Sequence, residues 1–328
     1  MEETEADTVS ENENLTAGRN PALRSLLAGA GAGVVCTILC APLDVTKIRM
    51  QVQGSLGTKR YSAGVFSSVK RIYIEEGLRG VFKGIGPALV TVPLFWGVYW
   101  PIYDRSKAYF ESNPAFSVTG GHIMAAVTAG AIGDVITNPF WVVRTRIQTL
   151  ALHSESRIAA NVSTVEMMKI IYHNEGWKAF YKGLGASFLG LSHVAIQFPL
   201  YEYLKNVARR GEDRRETFFE LLFSSIAAKL VASSITYPHE VLRARLQDGR
   251  GVTYNKKMSM NAASSASVTA EPAKLGLVAV FRDIVKREGV LSLWSGLRVS
   301  LFRVVPATAS TFLAYEYISH YLHERTQL

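Results

Sequence analysis

PLDVTKIRMQ at 42–51, PFWVVRTRIQ at 139–148 and PHEVLRARLQ at 238–247 are three copies of one phrase, and their prolines stand 97 and 99 residues apart. A unit of about a hundred residues therefore occurs three times. Two more phrases recur in the same order: EGLRGVFKG, EGWKAFYKG and EGVLSLWSG from Glu76, Glu175 and Glu288, then YDRSK, YEYLK and YEYIS from Tyr103, Tyr201 and Tyr315. The register divides the chain into repeats at 21–112, 113–212 and 213–328, behind an acidic segment at 1–20. Functional residues are accordingly read in sets of three.

Composition indicates the solvent. The chain is 48% apolar and 19% charged, with a mean hydropathy of +0.12; soluble domains are usually nearer a quarter charged. Each repeat supplies two long apolar stretches: Leu23 to Ile48 and Ile85 to Ile102, Ile123 to Ile147 and Leu184 to Leu204, Phe218 to Leu246 and Leu297 to Leu322. At ~20 residues per bilayer crossing, these predict an all-α membrane protein with six transmembrane helices. Gly, Pro, Ser and Thr dilute all six, as expected where only one helix face meets lipid and another lines a polar cavity.

Loop charge sets the orientation. In the first repeat Lys59, Arg60, Lys70, Arg71, Arg79 and Lys83 follow the first helix against Glu75 and Glu76, so the loops after the odd helices should face the non-translocated side. An even helix count then puts both termini opposite. Residues 1–20 hold Glu2, Glu3, Glu5, Asp7, Glu11 and Glu13 with one Arg, which reads as a solvated, disordered tail and not as an Arg-rich transit peptide.

The net charge of +9 fits basic loops on anionic lipid or an anionic substrate. Its dispersal over three loops speaks against nucleic acid as a partner. Cys36 and Cys40 stand four apart in the first helix with no companion His or Cys, so they read as small packing residues, with neither disulfide nor metal implied. The AGAGAGV run lacks the preceding strand of a dinucleotide-binding loop; its Gly29 and Gly33 instead fit a small-xxx-small face for close helix approach.

The proline phrase carries chemistry. Pro42, Pro139 and Pro238 should each kink an odd-numbered helix by removing a backbone hydrogen bond. Asp44 with Lys47 and Glu240 with Arg243 stand three apart, on one helix face. In threefold packing the acid of one repeat reaches the base of another, which predicts Asp44 with Arg144 and Glu240 with Lys47. Trp141 occupies the second repeat's acid position, leaving Arg243 without that partner and offering its guanidinium an indole face.

A second ring follows the same logic. Asp104 and Lys107, Glu202 and Lys205, and Glu316 with Ser319 repeat the spacing, predicting Asp104 with Lys205 and Glu316 with Lys107. Two charged rings around one passage cannot both stay closed; opening them in turn is alternating access built from repeats.

The pattern P-x-[DE]-x-x-[KR]-x-[KR]-x-Q, completed by Gln51, Gln148 and Gln247, resembles the mitochondrial carrier family over residues 20 to 325. The resemblance implies a monomeric six-helix barrel with a short matrix-side helix per repeat, a matrix gate from the proline phrase, a cytoplasmic gate from the second ring, and metabolite exchange across an organelle inner membrane, mitochondrial first with plastid or peroxisome as alternatives. Departures are Trp141, Ser319 and a Ser-, Ala-, Asn- and Lys-rich insertion at 249–273, read as a disordered loop. TNPFWVVRTRIQT and YPHEVLRARLQD are similar to the branch carrying NAD, pyrimidine nucleotides, and folate or FAD. SHVAIQFPLYEYLK, from Ser192 to Lys205, looks most like NAD carriers of plants and fungi.

Cavity candidates come from counting along the helices. Ser233 and Lys229 lie seven and eleven residues before Glu240, on one stripe; Lys229 stands where the other repeats have Gly33 and Gly130. At membrane depth such a lysine should meet substrate phosphate or an acid, and Asp134, seven before Trp141, is the candidate acid. Arg303 offers a phosphate or carboxylate fork, and the resemblance supports a substrate contact there. Trp96 and Gly97 precede Asp104 by eight and seven, forming a platform for a flat base, with Gly190 leaving room beside it.

Two function classes follow. One is an antiporter exchanging NAD+ or a related nucleotide for another nucleotide, without bound cofactor or metal. The other is a regulated proton or anion leak built on Asp134 as an isolated intramembrane acid. No nucleophile with a base is visible, so an enzyme is not expected.

Overall fold

The computed structural model describes residues 3–56, 61, 64–153, 162–209, 217–249 and 276–325, with side chains from 28 onward except at 218, 219 and 322–325. Eleven α-helices run through them: α1 (Glu3–Gln53), α2 (Val65–Val81), α3 (Ile85–Glu111), α4 (Val118–His153), α5 (Thr164–Glu175), α6 (Leu184–Gly190), α7 (Ser192–Ala208), α8 (Phe218–Thr236), α9 (Pro238–Asp248), α10 (Leu277–Glu288) and α11 (Leu297–Arg325). No strand occurs among the described residues. Five segments are long and apolar enough to cross a membrane, and the α8–α9 pair, bent by 57°, makes a sixth. Val305, Leu313 and Phe223 are 65%, 65% and 69% exposed, apolar surface that suits lipid contact and not water.

One feature departs from the sequence reading. Helix α1 continues back to Glu3, where a disordered tail is expected; acids near a helix N-terminus are favoured by its macrodipole. Helical backbone continues through Pro42 and Pro139, and at Pro238 it breaks, with α8 and α9 bent by 57°. There the carbonyl of Ser234, four residues back, loses its amide partner and accepts the indole N–H of Trp294 at 2.8 Å. The 249–273 insertion lies almost wholly outside the described residues.

The chain forms two compact units, 42–301 and the pair of segments 1–41 with 302–328. In the smaller unit the Cys36 thiol lies 3.7 Å from the Ala307 carbonyl, and neither cysteine is in a disulfide. Close approach there occurs at Gly31, where a Cβ would stand 2.6 Å from Ile318. Gly29 and Gly33 have open space instead, because the contacting face is set by where the neighbouring helix lies and not by glycine spacing alone.

In the larger unit each repeat contributes one apolar cluster under its short helix. Val45 packs with Ile72, Val142 with Ile171, and Val241 with Ile284, all fully or nearly fully buried. Two clusters borrow across repeats: Val299 joins the first and Ala186 the third. Helices α3 and α4 run antiparallel. Phe95 packs where Gly133 has no side chain, and Tyr103 Oη lies 3.1 Å from His122 Nδ1. Asp104 and Arg144 therefore occupy opposite ends of this hairpin.

Candidate functional site

Three glycines let the repeats interlock. Gly84, Gly183 and Gly296 have φ of +78°, +83° and +86°, which favour glycine. A Cβ there would press on Gln148, on Gln247 with the Arg243 carbonyl, and on Tyr237 with the Lys47 carbonyl, at 2.9–3.3 Å. Each contact runs from one repeat to the next and closes on the first.

The second base of each proline phrase exploits that approach. Arg49, Arg146 and Arg245 are buried, and their Nε–H groups donate to the carbonyls of Gln148, Gln247 and Gln51 at 3.0, 3.1 and 2.9 Å. Their two other nitrogens form forks on Glu76, Glu175 and Glu288, with the Nη2 legs at 2.9, 2.9 and 2.8 Å. Lys83 and Lys182 reinforce Glu76 and Glu175 at 2.7 and 2.6 Å; Ser295 occupies the third position. Burial raises the Glu175 carboxyl, but the hydrogen bonds and charges of Arg146 and Lys182 outweigh it and hold the group down to about 2. Glu76 is lowered by the same balance with Arg49 and Lys83. Sequence reasoning missed this ring, although its signal was present in the EG phrases and the second base.

Closer to the prolines lies the ring of candidate gate residues. Arg144 Nη2 stands 2.7 Å from Asp44, and Lys47 Nζ stands 2.6 Å from Glu240. Gln51 Nε2 donates to Tyr237 Oη at 3.0 Å and to Glu240 at 3.4 Å. The Gln247 amide oxygen accepts from Thr145 at 2.9 Å, and Gln148 packs against Gly84. At the third junction Trp141 lies between two guanidiniums, 5.3 Å from Arg144 and 5.2 Å from Arg243. Arg243 does have an acid: its Nη2 lies 3.4 Å from Asp134. That corrects the expectation that Arg243 lacks an acid, and the acid is Asp134; Lys229 is an exposed residue of α8.

The second ring differs. Lys205 pairs with Glu202 on its own helix at 2.9 Å, Lys107 lies 3.8 Å from Glu111, and Asp104 makes no ion pair among the described residues. The expected Asp104–Lys205 bridge is therefore absent. Glu316 and Ser319 belong to the smaller unit.

Trp96 is 48% exposed and stacks with Trp100 at 6.0 Å and 24°, and nothing lies within 4 Å of a Cβ built on Gly97. Gly190 does not leave free room. The His239 ring fills the space where its side chain would stand, with Nε2 2.6 Å from a built Cβ. Ser233 and Arg303 are half-buried on their helices. An apolar cleft of about 390 Å³ between Val127, Ala131 and Phe188, Leu191, Ser192 and Ala195 includes none of the candidate residues.

Residues 18–114, 117–212 and 214–326 each match the mitochondrial carrier protein family. The chain is 34% identical over 301 residues to the chloroplastic nicotinamide adenine dinucleotide transporter 1 of Arabidopsis thaliana, covering 90% of both chains. It is 33% identical to the mitochondrial nicotinamide adenine dinucleotide transporter 1 of Saccharomyces cerevisiae, over 90% of this chain and 76% of that one. Identity to human solute carrier family 25 member 33 is 31%, covering 93% and 97%. The chain belongs to the mitochondrial carrier family: it is an all-α transmembrane transport protein of three tandem two-helix repeats, and not an enzyme.

Proposed function

We propose that this carrier exchanges a nucleotide cofactor, NAD+ first, for another nucleotide by alternating access, as a monomer. The reading is supported by the nucleotide named in its plant and yeast relatives. The observation that carries the mechanism is the contrast between rings. Around the prolines, acids and bases pair between repeats, while at the other end of the α3–α4 hairpin Lys205 pairs with Glu202 on its own helix and Asp104 makes no ion pair among the described residues. One gate is then shut and the other open. Asp44, Lys47, Arg144 and Glu240, braced by Gln51, form the matrix latch; Asp104, Lys107, Glu202, Lys205 and Glu316 form the cytoplasmic one. Substrate binding has to offset only the few kcal/mol that hold a latch.

Arg303 supplies a fork for phosphate, Lys229 a point charge, and Trp96 a face for a base. The setting is the mitochondrial inner membrane or, as for the Arabidopsis relative, a plastid membrane, with both termini on the cytosolic side. Labelled NAD exchange in proteoliposomes, competed by unlabelled pyrimidine nucleotides, FAD and folates, tests the reading. NAD should compete best, and stronger competition by another compound would replace it as substrate. The leak alternative loses its main support because Asp134 is paired with Arg243. Collapse of a pH gradient without any nucleotide would restore it.

A further inference from the structure

Two of the three junctions in the proline ring hold short ion pairs, at 2.6 and 2.7 Å. The third is built otherwise. Its base, Arg243, leans out of the ring to an acid seven residues from the ring position on α4, roughly 10 Å along the helix. Asp134 lies on the side of Trp141 toward the α4 N-terminus, where His122 meets Tyr103, and so stands between the two rings. Asp134 is 7% exposed, and Arg243 is its only ion-pair partner among the described residues.

We propose that Arg243 is a further contact for the phosphate of the transported nucleotide, and that Asp134 is its displaceable counter-ion. The inference rests on the nucleotide-exchange reading above. The Arg243 guanidinium carbon lies over the Trp141 ring, 5.2 Å from its centroid, a cation–π contact that uses none of the N–H groups and leaves them for acceptors. Asp134 engages them through one contact at 3.4 Å, unlike the two-pronged forks of Arg49, Arg146 and Arg245. A phosphate presents more oxygens in the fork geometry than this carboxylate uses. Phosphate arrival therefore exchanges one acid for another on Arg243 without leaving the half-buried cation unpaired. The same exchange loosens the third junction, so substrate binding and gate release share one side chain.

The test is nucleotide-induced thermal stabilisation of the full chain in detergent, using NAD, ADP and phosphate-free adenosine as probes. Asp134→Asn should lower the half-saturating NAD concentration about tenfold, since phosphate no longer competes with a carboxylate. The shift should vanish when Asp134→Asn is made in an Arg243→Gln background. Arg243→Lys, which keeps the charge but loses the fork, should raise half-saturation for NAD and ADP and leave adenosine unaffected. An unchanged half-saturation in Asp134→Asn, or the same decrease with Arg243→Gln present, overturns the proposal. If ADP stabilises the wild type and NAD does not, NAD is the wrong substrate and the cycle is read with ADP. Stabilisation by no phosphate-bearing probe overturns both.

Discussion

The two charged rings repeat the same acid-and-base spacing, yet the first is bonded across repeats while the ion pairs found for Lys107 and Lys205 lie within their own helices. In the proline ring Asp44 reaches Arg144 and Glu240 reaches Lys47 over about a hundred and nearly two hundred residues of chain. In the second ring Lys205 turns to Glu202 one turn away, and Lys107 approaches Glu111. Spacing sets which charges can meet, but the packing behind them decides whether they do. Behind the proline ring stand the buried forks of Arg49, Arg146 and Arg245 and three close-approach glycines. Nothing comparable backs Asp104 and Lys205 among the described residues.

This contrast is broken most severely behind the latch. Arg146→Ala leaves Glu175 and Lys182 without their buried centre and should cost about 3–5 kcal/mol, read as a large loss of thermal stability in detergent. Gly183→Ala forces a side chain onto the Arg243 carbonyl at a positive φ and should cost about 1–3 kcal/mol by the same assay. In the latch itself, Glu240→Gln should lose about 1–2 kcal/mol of stability, and the reversal Lys47→Glu with Glu240→Lys should recover part of it in a double-mutant cycle. Asp104→Asn in the second ring should change stability by less than about 0.5 kcal/mol while slowing the proposed exchange.

Acid titration sharpens the same comparison. Because the folded Glu175 is held down to about 2, its ionised form stabilises the fold above its unfolded value, and that contribution fades as pH falls toward 2. Wild type should therefore lose more stability than Glu175→Gln between roughly pH 4.5 and 2, measured by unfolding in detergent. Equal losses would mean that the carboxylate is not ion-paired in solution.

Much of this was legible because the chain repeats itself. Aligning three phrases gives the six spans and the Asp44–Arg144 and Lys47–Glu240 partners, since threefold register converts sequence position into spatial position. What escaped lies outside the register. The acid of Arg243 lies two turns before Trp141, ahead of the repeated phrase, so counting along α4 singles out Asp134 but the register does not match it to Arg243. The helix-contact glycine is Gly31 and not Gly29 or Gly33, because the facing position of Ile318 selects it. Gly190 seemed to offer space for a ligand, but His239 of another repeat fills it.

The alternation of the two rings is tested most directly by thiol cross-linking in proteoliposomes, in a chain whose Cys36 and Cys40 are replaced by Ser. One variant carries cysteines at 44 and 144, the other at 104 and 205, and each is probed with a short bifunctional reagent. Without nucleotide the 44/144 pair should cross-link well and the 104/205 pair poorly; exchanging substrate should lower the first yield and raise the second. Yields that rise or fall together would contradict the account.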